Sequence, residues 1–224
     1  MNNFSYQLYS SRNFQPLSKT LKMLGELGYV QVEGYGALFE GIDDLATLKA
    51  DLNANNLHMA SGHISLESLE NDVQSVLELT KTFSIEAIYC PHLVEEDRPT
   101  TSKGWRDFGA RLQATSKPYT DAGLIFGWHN HDFEFVATDD GHIPMDLILD
   151  GGPDITWEAD IAWIVRAGGD PFRYIEKYAD RISAVHIKDI AKSGENEGED
   201  GWADVGQGTV DWQEIGRASC RERV

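Results

Sequence analysis

Apolar and polar positions alternate along this chain with two periods, and the switches between them mark out its elements. FSYQLYS (4–10) alternates as a strand, and a helical period follows over 16–27, with Pro16 near its start. Gly28 closes that helix, and YVQVEGY (29–35) alternates again. The same signals predict a helix over about 43–55, a strand at LHMASGHIS (57–65), a helix over about 66–82 and a strand at EAIYCPHL (86–93). A long helix near 102–122 precedes the strand LIFGWHNH (124–131), and PMDLILDGG supplies a short helix. ITWEADIAW (155–163) reads as a strand, DPFRYIEKYAD (170–180) as a helix and RISAVHIKDI (182–191) as the seventh strand.

Seven βα repeats argue for a parallel sheet with helical crossovers. No strand is followed by the GxGxxG turn of a dinucleotide-binding sheet. Polar residues gather instead at strand C-termini: Glu33, His63, His92, His129, His131, Asp160, His186 and Lys188. A TIM-type barrel builds its active site on that face. The expected fold class is therefore α/β, a TIM (β/α)8-type barrel with about seven βα units present and one strand missing.

Strand alternation puts Gly127, His129 and His131 on one face of the fifth strand. It pairs Glu158 with Asp160 in the sixth and aligns Ala184, His186 and Lys188 in the seventh. If these faces point inward, carboxylate, imidazoles and lysine converge at the barrel mouth, with Glu134 just beyond. Carboxylate and imidazole together suit Mn²⁺, Zn²⁺, Co²⁺ or Fe²⁺, whereas Mg²⁺ and Ca²⁺ prefer oxygen shells. The ligands would be scattered one per strand, so no short metal motif applies.

Composition narrows the partners. The 224 residues, 41% hydrophobic, suffice for one sizeable core, and charged residues mixed along the chain argue for order. A net charge of −18 repels phosphate backbones and anionic lipid heads, so neither nucleic acid nor membrane is an expected partner. MNNFSYQLYS lacks the basic start and apolar run of a signal peptide, and Cys90 and Cys220 suggest no disulfide framework. The expected compartment is the cytoplasm. The acidic loop SGENEGED (193–200) lacks the spacing of a calcium loop and reads as solvated. VGQGTVDW is glycine-rich without the Lys-Ser/Thr pair of a P-loop.

GYVQVEGY, WHNHDFEF, WEADIAWIVRAGGDP, RISAVHIKD and VGQGTVDW resemble, in that order, the sugar phosphate isomerase/epimerase family with its xylose isomerase-like TIM barrel. The match covers about residues 4–214, which sets the expected domain at 1–214. The resemblance implies a divalent metal held at strand ends, and a carbohydrate substrate whose C–H bond beside a carbonyl is broken and remade. By position, Asp160 matches the sixth-strand metal aspartate and His186 the seventh-strand metal histidine. The fifth-strand ligand is a glutamate in many relatives. Here it has two candidates: Glu134 by its chemistry, which is the expected ligand, and His129 by its place at the strand end. Relatives usually add a glutamate from an eighth strand, which this sequence does not contain. Mn²⁺ is the expected ion, with Zn²⁺, Co²⁺, Fe²⁺ or Mg²⁺ as alternatives.

The expected base is Glu134 or one of the histidines, His131 among them, with Glu33 returning the proton from the opposite face. Lys188 is expected to orient substrate or assist catalysis, and His63, His92, His129 and Trp163 to face the substrate. Plainer readings stand beside these: histidines bonded to loop backbone, Lys188 as the ion-pair partner of Asp160, and Trp128, Trp157 and Trp163 as core. Two inward imidazoles need buried partners. An unpaired buried carboxylate at Asp160 would cost several kcal/mol, which ligation or pairing with Lys188 relieves.

The expected function is a metal-dependent isomerase or epimerase acting on a sugar, sugar phosphate or keto-sugar. The same chemistry extends to an inosose dehydratase or a 3-keto-glycoside lyase. Rivals are an abasic-site endonuclease-like phosphodiesterase, which the acidic balance disfavours, and a non-catalytic carbohydrate-binding barrel, which needs no stoichiometric ion. The expected partner is a small-molecule carbohydrate, and the composition is compatible with a monomer or a homo-oligomer.

The tail 215–224, IGRASCRERV, reads as non-native. Its last nine residues hold three basic residues and one acid, whereas the 215 before them hold 16 basic and 36 acidic. Read back as codons, the tail resembles a short-read sequencing adaptor. It stands where DWQEI should open the helix leading to the eighth strand. A barrel left open at that point is expected to aggregate readily and turn over poorly.

Overall fold

The periods read from the sequence are realised in chain order in the computed structural model, which describes residues 4–41 and 45–222. Seven parallel strands form one sheet in sequence order: β1 (Ser5–Gln7), β2 (Gln31–Tyr35), β3 (His58–His63), β4 (Ala87–Cys90), β5 (Ile125–His129), β6 (Thr156–Asp160) and β7 (Ile182–His186). Between them run α1 (Leu17–Glu26), α2 (Gly36–Glu40), α3 (Leu45–Ala54), α4 (Leu66–Asn71), α5 (Val73–Phe83), α6 (Ser102–Asp121), α7 (Pro144–Gly151), α8 (Ile161–Arg166) and α9 (Pro171–Tyr178). The fold class is that of a TIM-type barrel with seven of its strands. After β7 come a two-stranded antiparallel pair, β8 (Asp189–Ile190) with β9 (Trp202–Ala203), and the helix α10 (Trp212–Glu222). Among the described residues no helix is long and apolar enough to cross a membrane.

The chain divides into two compact units: Met1–Pro91 with Lys117–Phe126, and His92–Ser116 with Gly127–Val224. In the first, Leu21, Val32, Met59 and Ile88 are fully buried, and Tyr119 stacks on Phe126 while its hydroxyl donates to the Leu69 carbonyl at 2.7 Å. In the second, Trp128 packs edge-on against Phe108, and Trp157 against Tyr174 and Tyr178. Both indoles are completely buried.

Element ends differ from the expected ones for identifiable reasons. The first strand stops at Gln7, where Leu8–Ser11 turn into a 3-10 helix that buries Leu8. The helix expected over 66–82 breaks at Asp72 into α4 and α5. The strand expected to reach Trp163 ends at Asp160, whose side chain accepts the Trp163 N–H and so starts α8. The tail carries α10 forward as helix to Glu222 and forms no strand; residues 223–224 lie outside the described residues. β7 pairs only with β6 among the described residues, and Val185 is exposed on it.

One carboxylate organises the segment after β7. Asp189 is buried, and its oxygens accept the backbone N–H groups of Ile190, Gly206 and Val210 at 2.8–3.0 Å. Burial pushes this carboxyl up, but the backbone donors outweigh it and hold the pKa below the usual value. A Cβ at Gly208 would come within 2.2 Å of the same carboxylate, so only glycine fits there. Asp189→Ala is expected to leave these donors unmet and to destabilise the fold by about 3 kcal/mol. A urea unfolding curve checks this, with Asp189→Asn falling between the two.

Candidate active site

Within the second unit the ends of β5, β6 and β7 bring together two imidazoles and a carboxylate. His129 and Glu158 are register partners across β5 and β6, and Asp160 pairs with His186 across β6 and β7. Between Trp157 and Glu158 the register slips: Trp157 faces Ile182, whereas Glu158 faces Ala184, leaving Ser183 as an extra residue. Such irregularities re-aim side chains beside active sites. Glu158 Oε2 lies 3.1 Å from His129 Nδ1 and 3.4 Å from His186 Nε2. Ligand-type atoms of these three residues all lie within 4.8 Å of one another, and Glu158 is 1% exposed.

The donor set fits a divalent ion. Ligands in adjacent positions on an ion with bonds of about 2.1 Å stand roughly 3.0–3.4 Å apart, which matches the two distances from Glu158 to the imidazoles. Two imidazoles with one carboxylate suit Zn²⁺, Mn²⁺, Co²⁺ or Fe²⁺. A buried carboxylate needs a cation or several hydrogen-bond donors to meet it.

Of the expected metal ligands, the structure brings His186 to this cluster together with His129. Asp160 lies beside it: Oδ1 caps α8, while Oδ2 stands 3.6 Å from Lys188 Nζ and 3.8 Å from His186 Nδ1. Glu134 is wholly buried on a 3-10 turn, where Oε1 accepts from Trp128 Nε1 and Oε2 from the His131 N–H, both at 2.9 Å. Burial drives its pKa up to about 8 against the pull of these donors. Both oxygens are thus committed to the turn.

The remaining residues form the walls. His131 packs against His129, Phe133 and Trp163. Lys188 Nζ lies 3.6 Å from the Trp202 ring centre and 4.8 Å from that of Trp163, and Arg166 stacks on Trp202 at 3.5 Å. Burial lowers the Lys188 pKa, and Asp160 opposes that shift. His92 accepts from Arg98 at 3.2 Å; burial, then the guanidinium, lower its pKa.

In the first unit, Glu33 stands midway along β2 rather than at its end, and His63 ends β3. Ser61 Oγ donates to Glu33 Oε2 at 2.6 Å, and His63 Nε2 lies 3.3 Å from Oε1. Gln7 Nε2 lies 3.4 Å from His63 Nδ1, a contact that suits a hydrogen on Nε2, facing Glu33. Here too the register slips just before the carboxylate, with Ala60 as the extra residue.

Two residues of this arrangement were not among the expected site residues. Glu158 shares a strand face with Asp160, so the period of two was its signal. Asn130, between the two histidines of HNH, is fully buried and fully hydrogen-bonded, which no sequence period announces.

No family model matches the chain. An inosose dehydratase from Geobacillus kaustophilus is 26% identical over 197 residues, covering 77% of this chain and 61% of that protein. The chain thus spans less than two thirds of this curated relative's length. A sugar phosphate isomerase/epimerase structure from Parabacteroides distasonis is 20% identical with a TM-score of 0.80, covering 100% of this chain and 88% of its own. An IOLI protein with a binding zinc atom is 15% identical with a TM-score of 0.74, covering 97% of this chain and 84% of its own. The structural neighbours are thus sugar phosphate isomerase/epimerase and xylose isomerase-like TIM-barrel proteins, and at these identities they establish the fold.

Proposed function

We propose that this chain is a divalent-metal-dependent enzyme that moves a proton at the carbon beside the carbonyl of a small sugar-like substrate, leading to isomerisation or epimerisation. The observation that carries this reading is the cluster of buried His129 and Glu158 with partly buried His186. When bound there, a divalent ion would supply Lewis-acid polarisation of a carbonyl.

The chain's own groups supply the proton chemistry. His131 is proposed as the acid–base group that moves the proton, since its half-buried ring adjoins His129. Glu33, whose carboxylate Ser61 and His63 fix, is proposed separately as an acid–base group of the first unit. Lys188 is proposed to bind a substrate oxygen, and Trp163 and His92 to wall the pocket. Glu134 holds the 131–134 turn that carries His131.

A dehydration outcome is the second reading, supported by the similarity to the inosose dehydratase. It uses the same first proton removal, followed by loss of a hydroxyl from the next carbon.

The test is to incubate ketoses, inososes and 3-keto-glycosides in D₂O with and without added Mn²⁺, following deuterium by NMR. Metal-dependent deuterium entry beside the carbonyl is expected, and His131→Ala should slow it by about 10²-fold or more. A label shown to migrate between substrate carbons would point to hydride transfer and overturn the reading.

A further inference from the structure

Asn130 occupies the point where β5 leaves the sheet. The β5–β6 ladder ends at the pair His129 and Glu158, while β6 continues to Asp160 alongside β7. Among the described residues the β5–β6 backbone pairing stops at His129, yet these two strands carry two of the three cluster residues. The Asn130 side chain takes over there. Its Oδ1 accepts the Asp160 N–H at 2.9 Å, and its Nδ2 donates to the Asp160 carbonyl at 3.1 Å, so the amide pairs with Asp160 as a strand residue would. Oδ1 also accepts Trp157 Nε1 at 2.8 Å, and Nδ2 donates to the His131 carbonyl at 3.3 Å. All four hydrogen-bonding positions of the amide are used, at 0% exposure.

We propose that Asn130 is a positioning residue for the metal site: it clasps β5 to β6 and so presets the separation of His129 from Glu158 before the ion arrives. The inference rests on the reading that His129, Glu158 and His186 hold a divalent ion. Asn130 itself is no ligand, because its oxygen already accepts two N–H groups. A buried amide with every position satisfied also has one orientation available, which is what a preset site requires.

The test uses the full chain and Co²⁺ alone, with affinity from calorimetry and coordination geometry from the visible Co²⁺ spectrum. Asn130→Asp keeps the shape and both acceptor contacts but sets an oxygen against the Asp160 carbonyl. Its added negative charge would by itself tighten cation binding, so any weakening reports geometry. The expected result is one Co²⁺ per chain in both proteins, bound about 10–100-fold more weakly in Asn130→Asp and with a shifted spectrum. Arg181→Met is the control. It removes the Arg181 bonds to the Ile155 and Gly152 carbonyls in the same unit without touching the cluster, and should keep the wild-type affinity and spectrum.

Wild-type affinity and spectrum in Asn130→Asp would overturn the proposal while leaving the metal site standing. Absence of Co²⁺ binding in the wild type, or unchanged binding in Glu158→Gln, would overturn the metal reading itself and the proposal with it. Should Asn130→Asp not fold, hydrogen exchange on the wild-type chain decides. The Asp160 amide is expected to be protected without metal and unchanged on adding Co²⁺. An Asp160 amide that becomes protected only when Co²⁺ binds would show that nothing is preset.

Discussion

Glu158→Ala is expected to leave a folded protein that no longer retains a divalent ion and turns over about 10³-fold more slowly or worse. The carboxylate is 1% exposed and stands 3.1 and 3.4 Å from the two imidazoles, so its removal deletes the one anionic member of the cluster. Lewis-acid stabilisation is worth several kcal/mol, and each 1.4 kcal/mol is about tenfold in rate. His186→Ala should behave alike. Asp160→Ala should differ: it loses the cap of α8, a matter of about 1 kcal/mol, and frees Lys188 while the ion stays. Elemental analysis of the three variants, followed by turnover, separates them. Retention of metal in Glu158→Ala with loss in Asp160→Ala would return the ligand role to the aspartate.

The second large effect concerns stability against pH. Burial raises the Glu134 carboxyl from its ordinary 4.5 to about 8 in the folded chain. Between those values the folded protein holds a proton that the unfolded chain has released. Stability contributed by Glu134 is therefore full below about 4.5, falls as pH rises and is lost above about 8. The swing is roughly 5 kcal/mol at most. Glu134→Gln cannot titrate, so its unfolding free energy should be flat where the parent's declines. At pH 5 the variant should be weaker by about 1–3 kcal/mol, because a glutamine offers one oxygen to two donors, Trp128 Nε1 and the His131 N–H. Urea unfolding at pH 5, 6.5 and 8 decides. A decline surviving in Glu134→Gln would assign it to another group and leave Glu134 ionised in the fold.

Both effects turn on carboxylates whose contacts in the fold go beyond what strand alternation gives. Asp160 ends its strand, and its place before the apolar IAW lets its side chain cap α8. Glu134 has the chemistry of a ligand, but the turn after β5 aims it at Trp128. Glu158 lies on the same strand face as Asp160, two residues before it.

Seven βα units, their order, and the placement of His63, His129 and His186 at strand ends are legible in the residues alone, whereas Glu33 falls in the middle of β2. Apolar period follows directly from which faces a strand or helix must bury, and such information is local. Which carboxylate meets which imidazole depends on how the strands come together in the fold. Within a strand, alternation assigns a face, but a slip of one residue, as at Ala60 and Ser183, changes what that face opposes. Past the strand end no period applies. There the direction of Glu134 and the clasp made by Asn130 follow from which buried donors and acceptors lie within reach, and those partners come from Trp128, His131, Trp157 and Asp160 only once the chain has folded.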